Sequence, residues 1–133
     1  MNSARDIYVT RQDFDRLSRL LEIHGHERYG ALEEELGRAR IVDSAAIPAD
    51  VVTMNSRVRF QDESGEELEI TLVYPQDADV DQGKVSVLAP VGSALLGLSV
   101  GQSIEWPMPK NERRRLRVAA VTYQPEASGD VNL

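Results

Sequence analysis

The chain has 133 residues, 41% of them apolar, which is enough for one domain with a real core and argues against a disordered regulator. Cysteine is absent, so disulfides and thiolate metal sites are excluded and a reducing compartment is the simplest home. The formal charge of −7 gives an average field that repels phosphate, so no direct nucleic-acid binding is expected.

The opening, MNSARDIYVTRQDF, carries charges where a signal peptide needs an apolar stretch, and no run of about 18 apolar residues follows. The expectation is a cytoplasmic protein with no membrane association. Up to residue 47 the apolar positions recur at helical spacing: Phe14, Leu17, Leu20 and Leu21 form one stripe, Tyr29, Leu32, Leu36 and Ala39 another. Thr10 caps the first helix, Asp13 three residues on completes a capping box, and Val9 staples onto Phe14. Gly25 supplies a left-handed stop. The connection His24-Gly25-His26 is short, so a second helix over 27–42, weakened by Gly30 and Gly37, should fold back antiparallel. Residues 1–47 thus read as a short helical hairpin or coiled coil, too small to be stable without leaning on something else.

After Pro48 the period changes to 2. Strands are predicted at 56–60, 67–74, 84–89, 103–106 and 116–123. Asp62-Glu63-Ser64-Gly65 and Gln82-Gly83 read as hairpin turns, which makes neighbouring strands antiparallel. Between the third and fourth strands Pro90 ends a strand, 91–96 makes a short apolar helix, Gly97 ends it and Val100-Gly101-Gln102 turns into the next strand. Residues 48–133 therefore read as an antiparallel sheet with one short helix on its concave face, an α+β layout.

The polar constellations are weaker signals. His24 and His26 flank a glycine near Glu22 and Glu27, but such an exposed turn without a third firm ligand reads as solvated, and no metal or cofactor is expected. Asp77, Asp79 and Asp81 begin like a calcium loop that breaks at Gln82 and Leu88. Arg113, Arg115 and Arg117 share a strand face, with Glu66, Glu67 and Glu69 available to neutralise them. Trp106 reads as partly buried at the sheet edge. No nucleophile elbow is present, and both histidines sit at the helical tip, so an enzyme is not expected.

Three stretches carry a family likeness: "APVGSALLGL" at 89–98, followed by Gly101, then "DVVTMNSRV" at 50–58 and "YQPEASGD" at 123–130. The first resembles the signature of the carboxy-terminal domain of the GreA/GreB transcript-cleavage factors; all three together are similar to the Rnk subfamily, the regulators of nucleoside diphosphate kinase. The resemblance implies an FKBP-like domain at 48–133 carrying a helical arm at 1–47, and binding to bacterial RNA polymerase at its secondary channel. Pro90, Val91, Gly92 and Ser93 are then the candidate polymerase contact, and His24, His26 and Glu27 the arm tip. Gre arms carry an acidic pair that holds magnesium in the polymerase active site. Here the tip reads Glu22-Ile23-His24-Gly25-His26-Glu27, with no such pair, and a helix of about 15 residues spans only roughly 22 Å. The expectation is a competitor of Gre factors that does not stimulate transcript cleavage, monomeric unless leucines on the hairpin pair between chains. Two alternatives stand beside it. One is an FKBP-like peptidyl-prolyl isomerase, for which two phenylalanines and one tryptophan are thin material. The other is a direct protein regulator of nucleoside diphosphate kinase.

Overall fold

The computed structural model describes residues 7–25, 30–107 and 113–129. Strand β1 (Tyr8–Thr10) runs directly into helix α1 (Arg11–His24); helix α2 (Gly30–Arg38) then leads to strand β2 (Arg40–Val42). Thr10 is the N-cap of α1, its Oγ1 accepting the Asp13 N–H at 3.0 Å. Gly25, at φ 96°, ends the helix and donates its N–H to the Leu21 carbonyl at 2.8 Å.

The second helix is shorter than its predicted span of 27–42. Its last stretch is strand β2, which pairs parallel to β1 in the register Tyr8↔Arg40, Val9↔Ile41, Thr10↔Val42. The Arg40 N–H reaches the Ile7 carbonyl at 2.9 Å, and the β-branched pair Ile41-Val42 suits an extended backbone. Because β1 and β2 lie side by side, the helices between them form an excursion that leaves and returns at one place.

Five further strands make the main sheet: β3 (Arg57–Asp62), β4 (Glu67–Val73), β5 (Lys84–Ser86), β6 (Ser103–Pro107) and β7 (Arg113–Tyr123), in the order β5-β4-β3-β7-β6. The predicted turn between β3 and β4 is present. Asp62 Oδ1 accepts the N–H groups of Ser64 and Glu66, both at 3.0 Å, and Gly65 sits at φ 90°. The sheet is mixed, however, and not antiparallel throughout. β5 pairs parallel to β4 (Thr71↔Lys84, Leu72↔Val85, Val73↔Ser86), because 3-10 turns at Pro75–Asp77 and Val80–Gln82 carry the chain back before it re-enters the sheet. Gln82-Gly83 is thus the end of a crossover and not a hairpin. β5 also stops at Ser86, short of residue 89: Ser86 Oγ accepts the Leu88 N–H and its carbonyl accepts the Ala89 N–H, both at 3.0 Å, which bends the chain into helix α3 (Pro90–Leu95). A last short helix, α4 (Pro125–Ser128), follows β7.

Alternation along β3 turns Val58 and Phe60 inward and Arg57 and Arg59 outward. The inward residues join Leu72, Leu95, Leu96, Leu98, Leu116 and Val118 in a cluster that also contains Leu17 and Leu21 of α1 and Leu32 and Leu36 of α2. The helical part therefore has no core of its own; it shares that of the sheet. Each of those four leucines gains about 1.5–3 kcal/mol by burial, which is what helices this short require. Among the described residues no helix is long and apolar enough to cross a membrane.

Candidate functional site

The three stretches singled out in the sequence meet in one junction. The Val52 N–H bonds the Leu98 carbonyl at 2.8 Å, the Gly97 N–H returns to the Val52 carbonyl at 2.9 Å, and the Val100 N–H bonds the Asp50 carbonyl at 3.0 Å. From the closing stretch, Gln124 Nε2 donates to the carbonyls of Pro48 and Val51, both at 2.8 Å, while the Thr53 hydroxyl donates to Glu126 at 2.7 Å. β1 crosses over Gly97, whose carbonyl accepts the Tyr8 N–H at 3.2 Å. Gly97 has φ 82°, and a Cβ there would stand 2.8 Å from that of Ile7, so both backbone shape and space demand glycine.

Helix α1 enters the same junction through Asp13. Its side chain is almost fully buried, and Oδ2 accepts the Met54 N–H at 3.1 Å. Burial raises the carboxyl pKa from 3.8 to about 6; the Met54 N–H opposes the rise, the Glu126 charge adds to it, and Arg16 and Thr10 oppose it. Beside it the Tyr74 hydroxyl is buried with no hydrogen-bond partner, and burial together with the Asp13 charge pushes its ionisation well above the usual 10. It therefore stays protonated, and the bond from the Met54 N–H to Asp13 is what ties the helix to the junction. Reading Asp13 as a capping residue misses this role: the Asp13 N–H is held by the cap, but the carboxylate turns inward. The legible signal was its position four and eight residues before Leu17 and Leu21, on the buried line of the helix.

The candidate contact at 90–93 is built for rigidity. Ala89 is the N-cap of α3 and Pro90 opens it, where a missing N–H costs nothing. Ser93 is buried; its Oγ donates to the Val87 carbonyl at 2.7 Å and its N–H bonds the Ala89 carbonyl at 2.9 Å. Gly92 is buried too and lies so close to the Ser86 carbonyl that a Cβ would overlap it, with Leu72 Cδ1 3.1 Å from the same point. Gly92 and Ser93 thus fix the turn, while Pro90 and Val91, described here by backbone alone, start the helix.

At the arm's end His24 is exposed; His26 and Glu27 lie outside the described residues. Among the described residues no group of three or more histidines and carboxylates is placed to hold a metal ion. On the sheet, Arg115 and Arg117 are exposed, and Arg117 donates to Gln61 Oε1 at 2.9 Å. Glu69, expected to neutralise the arginine stripe of β7, instead pairs with Arg59 of β3 at 3.9 Å and accepts the hydroxyl of Thr122 in β7 at 3.3 Å. The side chains of Arg113 and Trp106 lie outside the described residues.

Comparison with known proteins places the chain among families, relatives and solved structures. Residues 47–123 match the family described as transcription elongation factor GreA/GreB, C-terminal part, and residues 5–42 match the family described as Rnk N-terminus. The chain is 44% identical over 132 residues to the regulator of nucleoside diphosphate kinase of Escherichia coli (strain K12), covering 96% of this chain and 97% of that protein. It is also 44% identical over 84 residues to the transcription elongation factor GreA of Prosthecochloris aestuarii, covering 61% of this chain and 52% of the factor. Among solved structures, the prokaryotic transcription elongation factor GreA/GreB from Nitrosomonas europaea is similar, with 51% identity, a TM-score of 0.77, and coverage of 89% of this chain and 98% of that one.

Proposed function

The chain belongs to the GreA/GreB family, carrying an Rnk N-terminus, and we propose that it regulates transcription by binding bacterial RNA polymerase. In this reading it docks near the secondary channel, competes there with Gre factors and leaves transcript cleavage unstimulated. Residues 48–133 are the docking domain, FKBP-like in layout, and residues 1–47 are a stunted coiled-coil arm. The turn at Pro90, Val91, Gly92 and Ser93 is the contact: Gly92 and Ser93 set its shape from within, and Pro90 and Val91 touch the partner.

One observation carries the reading. The GreA/GreB C-terminal match spans 47–123, whereas the helix that would act as probe has 14 residues, about 21 Å, and is sunk into the shared core as far as Leu21. Only its last turn is exposed throughout, at Glu22, Ile23 and His24. A probe with one exposed turn and no acidic pair is poorly built to deliver a metal ion to a distant active site. Occupancy is what remains for it to do. The test is displacement of a fluorescently labelled Gre factor from core RNA polymerase, with the cleaved transcript quantified in the same titration. Full displacement with no rise in cleavage is the expected result. Absence of displacement overturns polymerase docking, and a rise in cleavage overturns the blank probe.

The name of the Escherichia coli relative favours a second reading, direct action on nucleoside diphosphate kinase. Co-sedimentation of the two purified proteins separates it from an effect transmitted through transcription.

A further inference from the structure

The outer side of α1 borders a cleft of about 470 Å³ facing the turn that follows β4, within the size range of small-molecule sites. Arg16, Arg19, Leu20 and Ile23, which follow the i, i+3, i+4, i+7 spacing of one helical stripe, line it together with His24; Gln76 and Tyr74 line it from the opposite side. None of these residues is acidic, in a chain with 22 carboxylates against 15 lysines and arginines, though the buried Asp13 carboxylate lies against Arg16 and Tyr74. Two guanidinium groups repel a cation and favour an anion: they present forked donors that match the oxygens of a carboxylate or phosphate. Arg16 and His24 already hold contacts inside the molecule, so the charge most available is Arg19, which is exposed and, among the described residues, forms no ion pair. One turn further on, Ile23 is 77% exposed, more than any other large apolar side chain described, and with Leu20 it forms an apolar shelf beside the arginines.

We propose that this cleft binds a small organic oxyanion, its charged head held by Arg19 and Arg16 and its apolar body laid on Leu20 and Ile23. The inference is independent of polymerase docking, since it concerns the free protein. It excludes neither source of the head group, phosphate ester or carboxylate, and the test distinguishes them. Isotope-labelled protein is titrated at constant ionic strength with phenyl phosphate, phenylacetate and inorganic phosphate, and shifts are followed by NMR. Saturable shifts confined to α1, Tyr74 and Gln76 are expected for at least one aromatic anion, at a concentration at least tenfold below that needed for inorganic phosphate. Whichever aromatic anion saturates first names the head group. Arg19→Glu should raise the saturating concentration at least tenfold, and Ile23→Ser should erase the advantage of the aromatic anion over inorganic phosphate. Shifts that stay linear, that spread equally over the sheet arginines, or that survive Arg19→Glu overturn the proposal.

Discussion

The two ends of helix α1 live in different surroundings. Its first three turns are capped by Thr10, tethered through Asp13 to Met54, and driven into the core by Leu17 and Leu21, both 2% exposed or less. Its last turn has Ile23 at 77% exposure and an exposed His24. The energy that fixes the helix is therefore concentrated at its root, where it meets the junction built from 50–58, 89–98 and 123–130. The exposed last turn of α1 adds little to the burial that fixes the helix. Within the 90–93 turn, Gly92 and Ser93 set the geometry from buried positions.

This division is most easily broken at the root. Gly92→Ala drives a methyl group into the Ser86 carbonyl and should cost about 3 kcal/mol or more in urea unfolding, whereas Gly37→Ala, with open space around it in α2, should stabilise by about 1 kcal/mol. Equal effects would mean that the junction yields more readily than its packing implies. Asp13→Asn tests the tether. The folded-state pKa of about 6 lies above the unfolded value of 3.8, so the native state holds the proton more tightly. Stability contributed by this group is full below about pH 4, falls as pH rises through the interval up to 6, and above that the buried charge costs about 3 kcal/mol. Asparagine keeps an oxygen for the Met54 N–H without the charge, so the variant should exceed the wild type by about 2 kcal/mol at pH 7.5 and match it at pH 3.5. A variant that is weaker at pH 7.5 would show that the charged form clamps the helix. The smallest effect belongs to the tip: Ile23→Ser should shift unfolding by less than about 0.5 kcal/mol, and a larger loss would place Ile23 in a packed contact.

Much of this arrangement was legible in the residues because local rules decided it. Thr10 and Gly25 bound α1 through capping chemistry, and a period of 2 marked β3 and most of β4. What could not be read depends on partners far away in the chain. Arg40-Ile41-Val42 continues the helical spacing of Leu32 and Leu36, and becomes a strand only because β1 lies beside it. The parallel pairing of β5 follows from the path of two 3-10 turns that no hairpin rule anticipates. Asp13 fits a cap pattern and a buried stripe equally well, and only the position of Met54 chooses between them. At 90–93 the sequence marks a stiff turn correctly, but nothing local says that Gly92 and Ser93 face inward.

The side-by-side pairing of β1 and β2 has a mechanical consequence. Chain enters and leaves the helical excursion through neighbouring strands, so the base of the arm is closed independently of how far the arm extends. A matched pair of insertions, one helical turn beyond Leu21 in α1 and one before Leu32 in α2, would advance the tip by about 5.4 Å in all while leaving the foundation untouched. Length is a telescoping variable in this architecture, and a short form and a long one can be built on one footing.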